Sequence, residues 1–330
     1  MTSYCSLFVD AGYLMAAAST RVTGTSLRGA TDMDVAGLLA DLSAQVQADS
    51  GMPLLRIHWY DAGTRTGAPS LGQRDIAKLP RVKLRLGRCG YNGEQKGVDL
   101  KLALDLIAHS RNGVAEVVYL VSGDDDLSEA VEAAQDLGVQ VVALVVADEA
   151  QSAIAVSQHL QMTVDRMEFI HSPSIDRRVR RAIAGIDLVA VPAPLTLLPG
   201  IESDAARGPE RPTPLLVSQI RPLAPVRQVA VRPVPAYVTT SGVGGWFGGS
   251  VGAAAVEEAI SFVVEKVVLN LLRGASAESR DELLKGRPVI PPEVDRTLLT
   301  DLSNKLGVYD LPQEARFALR DAFWSAASRQ

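Results

Sequence analysis

The chain has 330 residues, enough for two domains, and its 47% hydrophobic and 22% charged residues are typical of a globular protein. The formal net charge of −5 argues against a protein that coats nucleic acid by bulk charge, but it is compatible with a local carboxylate metal site. The two cysteines, Cys5 and Cys89, have no Cys or His at metal-ligand spacing, which argues against a zinc site and fits a reducing compartment.

The first half of the chain alternates strand-like and helix-like patterns. Nearly continuous apolar runs predict strands at Tyr4–Val9, Leu54–Tyr60, Val82–Leu86, Glu116–Val121 and Val139–Val146, with a weaker one at Arg166–Ile170. Helical patterns lie between them, at Ala11–Ser19, Met33–Ala48, Val98–Ser110, Leu127–Leu137 and Ala150–Leu160. Apolar strands separated by amphipathic helices predict a doubly wound α/β domain with a mainly parallel sheet over residues 1–175.

The character of the sequence changes over residues 176–253. Prolines recur, a glycine-rich piece GVGGWFGGSVG follows, and the apolar periodicity is lost. This composition predicts a Pro/Gly-rich linker that is largely disordered. Its arginines, among them Arg211 and Arg221, could contact RNA, although a solubilising tether is the interpretation we favour.

Helical patterns return over residues 254–330. They predict helices at Val256–Leu272, Pro292–Lys305 and Pro312–Ala327, the last of which contains Phe323 and Trp324. We therefore expect a small helical C-terminal domain. It could bind a protein partner or form an oligomerisation bundle.

No membrane segment or targeting signal is predicted. The N-terminal MTSYCSLFVD has neither a basic region nor a long apolar stretch, so it does not have the pattern of a signal peptide. The most apolar run, Val139–Ala147, is too short to span a bilayer. We expect a soluble cytoplasmic protein without a membrane partner.

Aspartates follow strands at the places where an α/β sheet binds its ligands. Asp10 ends the first strand, Asp124 and Asp126 follow the strand at Glu116–Val121, and Asp99 begins the helix before that strand. If the two strands are neighbours, these acids meet in one cleft and repel each other. A hard divalent cation would relieve that repulsion, and oxygen-only ligands favour Mg²⁺ or Mn²⁺ over zinc.

Each of these acids also has an ordinary structural interpretation. Asp10 alone would cap a helix, and Asp99 would complement the dipole of a first helical turn. Within SGDDD, one aspartate could cap the next helix. Asp105 lies six residues after Asp99, about 120° further round the helix, so we expect it to support the site rather than bind metal.

Three sequence blocks carry a family resemblance. FVDAGYL at 8–14, KGVDLKLALDL at 96–106 and VYLVSGDDDLSEAVEAAQDLGVQV at 118–141 resemble, in order and spacing, the NYN family of PIN-like ribonucleases. The resemblance implies a parallel α/β sandwich with an acidic pocket and Mg²⁺- or Mn²⁺-dependent RNA cleavage. By position, the acids that would hold metal and act in catalysis are Asp10, Asp99, Asp124 and Asp126.

One position departs from the family pattern. The family often has Asn where this chain has Tyr13, which puts catalytic rate or substrate choice in doubt. Asp105 matches a commonly acidic position, and we assign Tyr13 and Asp105 to the layer behind the metal ligands. The C-terminal helical piece vaguely resembles LOTUS or winged-helix modules.

The segment PRVKLRLGR predicts an edge strand with one basic face, since basic and apolar residues alternate along it. The basic face could contact RNA phosphates beside the acidic pocket, or it could be a charged edge that blocks aggregation. Lys96 could contact the scissile phosphate or pair with an acid, and Ser122 could hydrogen-bond a pocket carboxylate or cap a turn. The candidate RNA-contacting residues are Arg81, Lys83, Arg85, Arg88, Lys96 and Ser122.

Three functional hypotheses follow from these patterns. The leading one is a metal-dependent endoribonuclease that cleaves single-stranded or structured RNA. A catalytically weak RNA-binding module and a scaffold that recruits partners through its C-terminal helices remain open. The sequence argues against a nicotinamide dehydrogenase, because no G-x-G-x-x-G follows the first strand.

Overall fold

A computed structural model describes residues 3–64, 67–89, 95–182, 253–273, 275–308 and 311–329. These residues all belong to one compact unit. Most of the predicted linker, with its arginines, lies outside the described residues, as do the side chains of Arg88 and Lys96. Folded structure continues six residues into the segment assigned to the linker, as far as Arg181.

The strands and helices alternate in chain order. The strands are β1 (Cys5–Asp10), β2 (Thr31–Met33), β3 (Leu54–Ala62), β4 (Val82–Cys89), β5 (Gln95–Lys96), β6 (Val117–Val121), β7 (Gln140–Val145), β8 (Arg166–Phe169) and β9 (Val179–Arg181). The helices of the first half are α1 (Ala11–Thr23), α2 (Val35–Ser50), α3 (Leu71–Ala77), α4 (Val98–Arg111), α5 (Ser128–Asp136), α6 (Gln158–Thr163) and α7 (Ser172–Arg178). The C-terminal helices are α8 (Ala253–Leu272), α9 (Ala277–Lys285), α10 (Pro292–Leu306) and α11 (Gln313–Ala327).

The main sheet has seven strands in the order β5-β4-β3-β1-β6-β7-β8. All neighbours are parallel except β4 and β5. The chain runs outward from β1 through β3 and β4 and then returns to β6 on the other side of β1, so the strand order reverses between β1 and β6. This confirms the predicted α/β fold. In sheets of this kind ligands bind where the strand order reverses, which here is at the carboxyl ends of β1 and β6.

Helices cover both faces of the sheet, which explains why the central strands are almost wholly apolar. In β1, Leu7 and Val9 pack with α1 and α2, while Phe8 points to the opposite face and packs with α4 and α5. All five residues of β6 are buried. Strands that are buried on both faces lose the alternation of polar and apolar residues and read as continuous hydrophobic runs.

The basic strand β4 lies at the edge of the sheet over most of its length. It pairs with β3 from Val82 to Gly87, and with the two-residue β5 only at Arg88 and Cys89. Val82 and Leu84 pack towards the core. The alternation seen in the sequence therefore predicted both the strand and its edge position.

One predicted helix is wrong over most of its length. The pattern at 150–160 gives a helix only from Gln158, because Ser157 caps α6 by accepting a hydrogen bond from the Leu160 N–H at 3.0 Å. The preceding residues form turns, in which the Asp148 carboxylate accepts from the Ser152 N–H at 2.7 Å. Such local side-chain bonds compete with helix formation. Helices α3, α7 and α9 were not predicted, since seven to nine residues are too few for a clear apolar period.

The C-terminal helices predicted from the sequence are present, and α8, α10 and α11 form a hydrophobic cluster that includes Phe323 and Trp324. Leu27 and Ala30, from the segment between α1 and β2, are buried in the same cluster. None of the described helices combines the length and apolar character needed to cross a membrane.

Candidate metal centre

Asp10 has two roles at the end of β1. Its Oδ1 caps α1 by accepting hydrogen bonds from the N–H groups of Gly12 at 2.8 Å and Tyr13 at 3.3 Å. Its Oδ2 faces the Ser122 hydroxyl at 3.5 Å, at the end of β6. One oxygen therefore makes the ordinary helix cap, and the other points into the crevice between β1 and β6.

Ser122 connects the two acidic loops. It is fully buried, its hydroxyl donates to Asp10, and the same hydroxyl oxygen accepts a hydrogen bond from the Asp124 N–H at 3.3 Å. Asp124 in turn accepts from the Asp126 N–H at 3.3 Å, in a short 3-10 turn. Ser122 thus makes both of the contacts that the sequence left open as alternatives, since it hydrogen-bonds the Asp10 carboxylate and also caps the turn at Asp124.

The middle aspartate of the SGDDD run is turned away from the crevice. The Asp125 carboxylate accepts a hydrogen bond from Ser157 at 2.9 Å and lies 3.5 Å from Nδ1 of His159. Asp124 is partly buried and Asp126 is exposed at the rim. The three consecutive acids therefore differ in what they can bind.

Burial, with neighbouring negative charge, raises the pKa values of Asp10, Asp99 and Asp124. Burial raises the pKa of Asp10 to about 6, and the charge of Asp99 adds to the shift, while backbone N–H groups and Arg28 oppose it. Burial also raises the pKa of Asp99, helped by the charge of Asp126. The pKa of Asp124 is raised first by burial and then by the neighbouring aspartates, including Asp99. The four predicted acids thus share one electrostatic environment.

The donor chemistry of this pocket fits a hard divalent cation. The available ligands are carboxylate oxygens, and within the described residues no salt bridge neutralises Asp10, Asp99, Asp124 or Asp126. The carboxylates are too far apart to bind one ion as they stand. Across the described ranges, no three His, Cys, Asp or Glu side chains lie close enough together to hold a metal ion. The carboxylates would have to approach one another when an ion binds.

Arg28 lies beside Asp10 and was missed by the sequence analysis. Its Nη2 lies 3.0 Å from the point where a β-carbon at residue 12 would be, and Oδ1 of Asp10 lies 3.0 Å from the same point. Because Gly12 has no side chain, the guanidinium and the carboxylate approach each other across it. No hydropathy pattern marks Arg28, which sits in the loop sequence TGTSLRGA between two helices.

Tyr13 supports the loop that carries Asp124. Its hydroxyl donates to the Ile154 carbonyl at 3.0 Å and accepts from the Val146 N–H at 3.4 Å. Its ring lies against Gly123, where an added β-carbon would be 2.8 Å from Tyr13 Cε2 and 2.0 Å from the carbonyl oxygen of Ala155. Tyr13, which stands where the family often has an asparagine, therefore packs and hydrogen-bonds behind the pocket.

Asp105 binds Arg85 from the basic strand rather than pointing into the pocket. Its Oδ2 accepts from Arg85 Nε at 2.6 Å and from the Tyr60 hydroxyl at 3.0 Å, and its Oδ1 makes a close ion pair with Nη2 of Arg85. Although burial opposes the effect, these hydrogen bonds hold the pKa of Asp105 below its ordinary value. Arg85 is therefore committed to α4, whereas Arg81 and Lys83 on the same strand are exposed.

Comparison with known proteins gives one family match. Residues 5–170 match the NYN domain. An uncharacterized protein of Sinorhizobium fredii (strain NBRC 101917 / NGR234), y4oD, is 43% identical over 72 residues, which is 22% of this chain and 34% of that protein. The match thus spans about a third of that relative's length. A crystal structure of a protein of unknown function from Vibrio parahaemolyticus covers 52% of this chain and 94% of its own, at 18% identity and a TM-score of 0.36, a likeness that adds nothing to the family match.

The close approach at Gly123 predicts the effect of a single methyl group. Gly123→Ala places a β-carbon against the backbone of Ala155, so we expect a loss of about 1–3 kcal/mol in the free energy of unfolding, measured by urea denaturation. Gly72→Ala is the matched control, since no atom lies within 4 Å of its added methyl, and it should be neutral or slightly stabilising. Equal stability of the two variants would contradict the packing described for this loop.

The raised pKa of Asp10 predicts that the pocket weakens the metal-free fold. Between pH 3.8 and about 6 the folded protein retains a proton that the unfolded chain has released, so stability falls as the pH rises through this window. Asn keeps the helix cap but removes the charge. In EDTA at pH 7.5 we expect Asp10→Asn to be about 1–3 kcal/mol more stable than wild type, with the gain shrinking below pH 6 and lost near pH 4.

The control for this experiment is Asp136→Asn, at an exposed position at the end of α5. At pH 7.5 its free energy of unfolding should stay within about 0.5 kcal/mol of the wild-type value, as for most exposed substitutions. A metal-free Asp10→Asn protein that is less stable than wild type at pH 7.5 would show that the carboxylate is not destabilised by its surroundings.

Proposed function

The chain belongs to the NYN domain family, and from this premise we propose that it is a metal-dependent endoribonuclease that hydrolyses RNA phosphodiester bonds. The observation that carries the proposal is the group of mutually repelling carboxylates at the carboxyl ends of β1 and β6. Such uncompensated charge destabilises a fold unless a cation binds there, which supports a functional rather than a structural reason for the arrangement.

Four residues would hold Mg²⁺ or Mn²⁺ in this proposal: Asp10, Asp99, Asp124 and Asp126. When bound, the ion would supply activation of water and neutralisation of charge on a phosphoryl group. The protein's own contribution is orientation. The N–H groups at the start of α1 hold one oxygen of Asp10, and Ser122 sets the distance between Asp10 and the Asp124 loop.

The basic edge of the sheet would contact the RNA backbone. An acidic pocket repels phosphates, so the substrate needs positive charge beside it. Arg81 and Lys83 are exposed on β4 and are free to supply it, whereas Arg85 would first have to leave Asp105. Arg88 and Lys96 pair across β4 and β5 through their backbones, which supports their assignment to the same rim.

A second candidate function is an RNA-binding protein with weak catalysis. The open spacing of the acids within the described residues favours it, as does the structural engagement of Tyr13. It predicts RNA affinity without turnover in any divalent metal. Robust metal-dependent cleavage would exclude it.

The SGDDD loop offers an internally matched test of the nuclease. With Mn²⁺ and single-stranded RNA, we expect Asp10→Asn and Asp124→Asn to lower the cleavage rate by about 100-fold or more, since each removes a carboxylate from the ion. Asp125→Asn changes the neighbouring residue by the same chemistry, but Asp125 faces Ser157, so its rate should remain within about threefold of wild type. Rates are measured by gel electrophoresis of end-labelled RNA. Equal rates for all three variants would show that any activity comes from elsewhere.

The basic face of β4 predicts a salt-dependent contribution to RNA binding. We expect the double variant Arg81→Gln/Lys83→Gln to bind single-stranded RNA about tenfold more weakly in EDTA, with a shallower dependence of affinity on salt concentration. Fluorescence anisotropy of labelled RNA gives both quantities. Lys285→Gln, at an exposed position on α9, is the control for lost charge. An unchanged salt dependence in the double variant would favour the interpretation of this strand as a charged edge that blocks aggregation.

A further inference from the structure

The segment between α1 and β2 is tied to the C-terminal helices by polar contacts. The carboxylate of Asp301, on α10, accepts a hydrogen bond from the Thr25 hydroxyl at 2.6 Å and from the Ser26 N–H at 3.1 Å. The side-chain amide of Asn270, on α8, donates to the carbonyl of Thr23 at 3.4 Å. Two C-terminal helices thus hold the start of this segment.

Apolar burial ties the rest of the segment to the same helices. Leu27 is 1% exposed and Ala30 is 6% exposed, and both belong to the hydrophobic cluster of α8, α10 and α11. Between them, Arg28 and the exposed Gly29 are the residues that this packing leaves outside the cluster. The C-terminal helices therefore help to hold the short turn that carries Arg28, together with Ser19 of α1, whose hydroxyl donates to the Leu27 carbonyl at 2.8 Å.

Arg28 points from this turn to the acidic pocket without being neutralised there. Its guanidinium lies across Gly12 from the Asp10 carboxylate. Within the described part of the chain, no hydrogen bond or ion pair occupies that guanidinium, in contrast to Arg85, which is bound by Asp105 at two oxygens. A half-buried arginine beside a carboxylate pocket that forms no ion pair retains its donors for another partner.

We propose that Arg28 contacts an RNA phosphate at the acidic pocket, and that the C-terminal helices hold Arg28 in the position from which it does so. The proposal rests on the proposed function, since it takes RNA as the ligand of the pocket. A guanidinium presents several N–H donors in a planar fork, which suits a phosphate flanked by negative charge. In this proposal the C-terminal helices contribute to substrate binding through the loop that carries Arg28.

RNA binding without turnover tests the contact. Full-length protein is titrated in Ca²⁺ against a fluorescein-labelled single-stranded RNA of mixed sequence, at several salt concentrations. We expect Arg28→Gln to raise the Kd about tenfold and to make the slope of log K against log salt shallower by about 0.7, the contribution of one phosphate contact on a single strand. Arg28→Lys keeps the charge, so it should retain the slope and lose less affinity.

The control for lost charge is Arg111→Gln. Arg111 is exposed at the far end of α4, about 20 Å along the helix from Asp99, so its loss should leave both Kd and slope near wild type. If Arg28 serves only to offset the charge of Asp10, Arg28→Gln would change the melting temperature and leave the salt slope unchanged. That result would overturn the proposed contact.

The role of the C-terminal helices is tested on α10. Asp301→Asn weakens the bonds to Thr25 and Ser26, so we expect the same direction of change in Kd as for Arg28→Gln. In the double variant Arg28→Gln/Asp301→Asn, the two effects should not add, because both act through the same guanidinium. Asp295→Asn is the matched control on the same helix, since it breaks the ion pair of Asp295 with Arg320, at 2.7 Å, away from the segment.

The outcomes distinguish a failure of the roles assigned to Arg28 and the C-terminal helices from a failure of the proposed nuclease function. An affinity loss in Asp295→Asn equal to that in Asp301→Asn would show general loosening of the helices and overturn their specific role. Wild-type affinity in Asp301→Asn, in a protein whose melting curve shows it folded, would do the same. If wild type cleaves RNA with Mn²⁺, and Arg28→Gln binds and cleaves RNA as well as wild type does, only the role of Arg28 is overturned. If wild type neither binds nor cleaves RNA, the proposed nuclease function itself is overturned.

Discussion

Negative charge confined to a partly dehydrated crevice is the constraint on which the rest of the site depends. The doubly wound topology makes β1 and β6 neighbours, so the residues that follow them, Asp10 and Asp124, end at the same edge of the sheet. Asp99 enters from the first turn of α4. Burial and mutual repulsion then favour protonation of these groups, which is the opposite of what a stable fold alone would select.

The same residues can stabilise the fold and form the proposed site. Asp10 caps α1 with one oxygen and faces the crevice with the other, so its structural role fixes the direction of its free oxygen. Tyr13 is partly buried, and its ring packs against Gly123 in the loop that carries Asp124. Asp105 on α4 forms an ion pair with Arg85 on β4. This ion pair links the helix that carries Asp99 to the basic strand.

The fold could be predicted from the sequence because strands buried on both faces leave continuous apolar runs, and the crevice followed from the topology of such sheets. Contacts between distant segments left no such pattern. Arg85 was correctly placed on the basic face of β4, but its partner Asp105 lies on another element. The orientation of Asp125 depends on Ser157, and Arg28 lies in a turn whose neighbouring residues contact the C-terminal helices. These features depend on packing that no local pattern encodes.

The most direct test is a crystal structure of the protein soaked with Mn²⁺, with anomalous diffraction used to locate the ion. The proposed function predicts an anomalous peak at bonding distance from oxygens of Asp10 and Asp124, with the Asp99 and Asp126 carboxylates drawn towards it. A structure at saturating Mn²⁺ without a peak in the crevice between β1 and β6, or with these carboxylates turned into ion pairs with basic side chains, would contradict it.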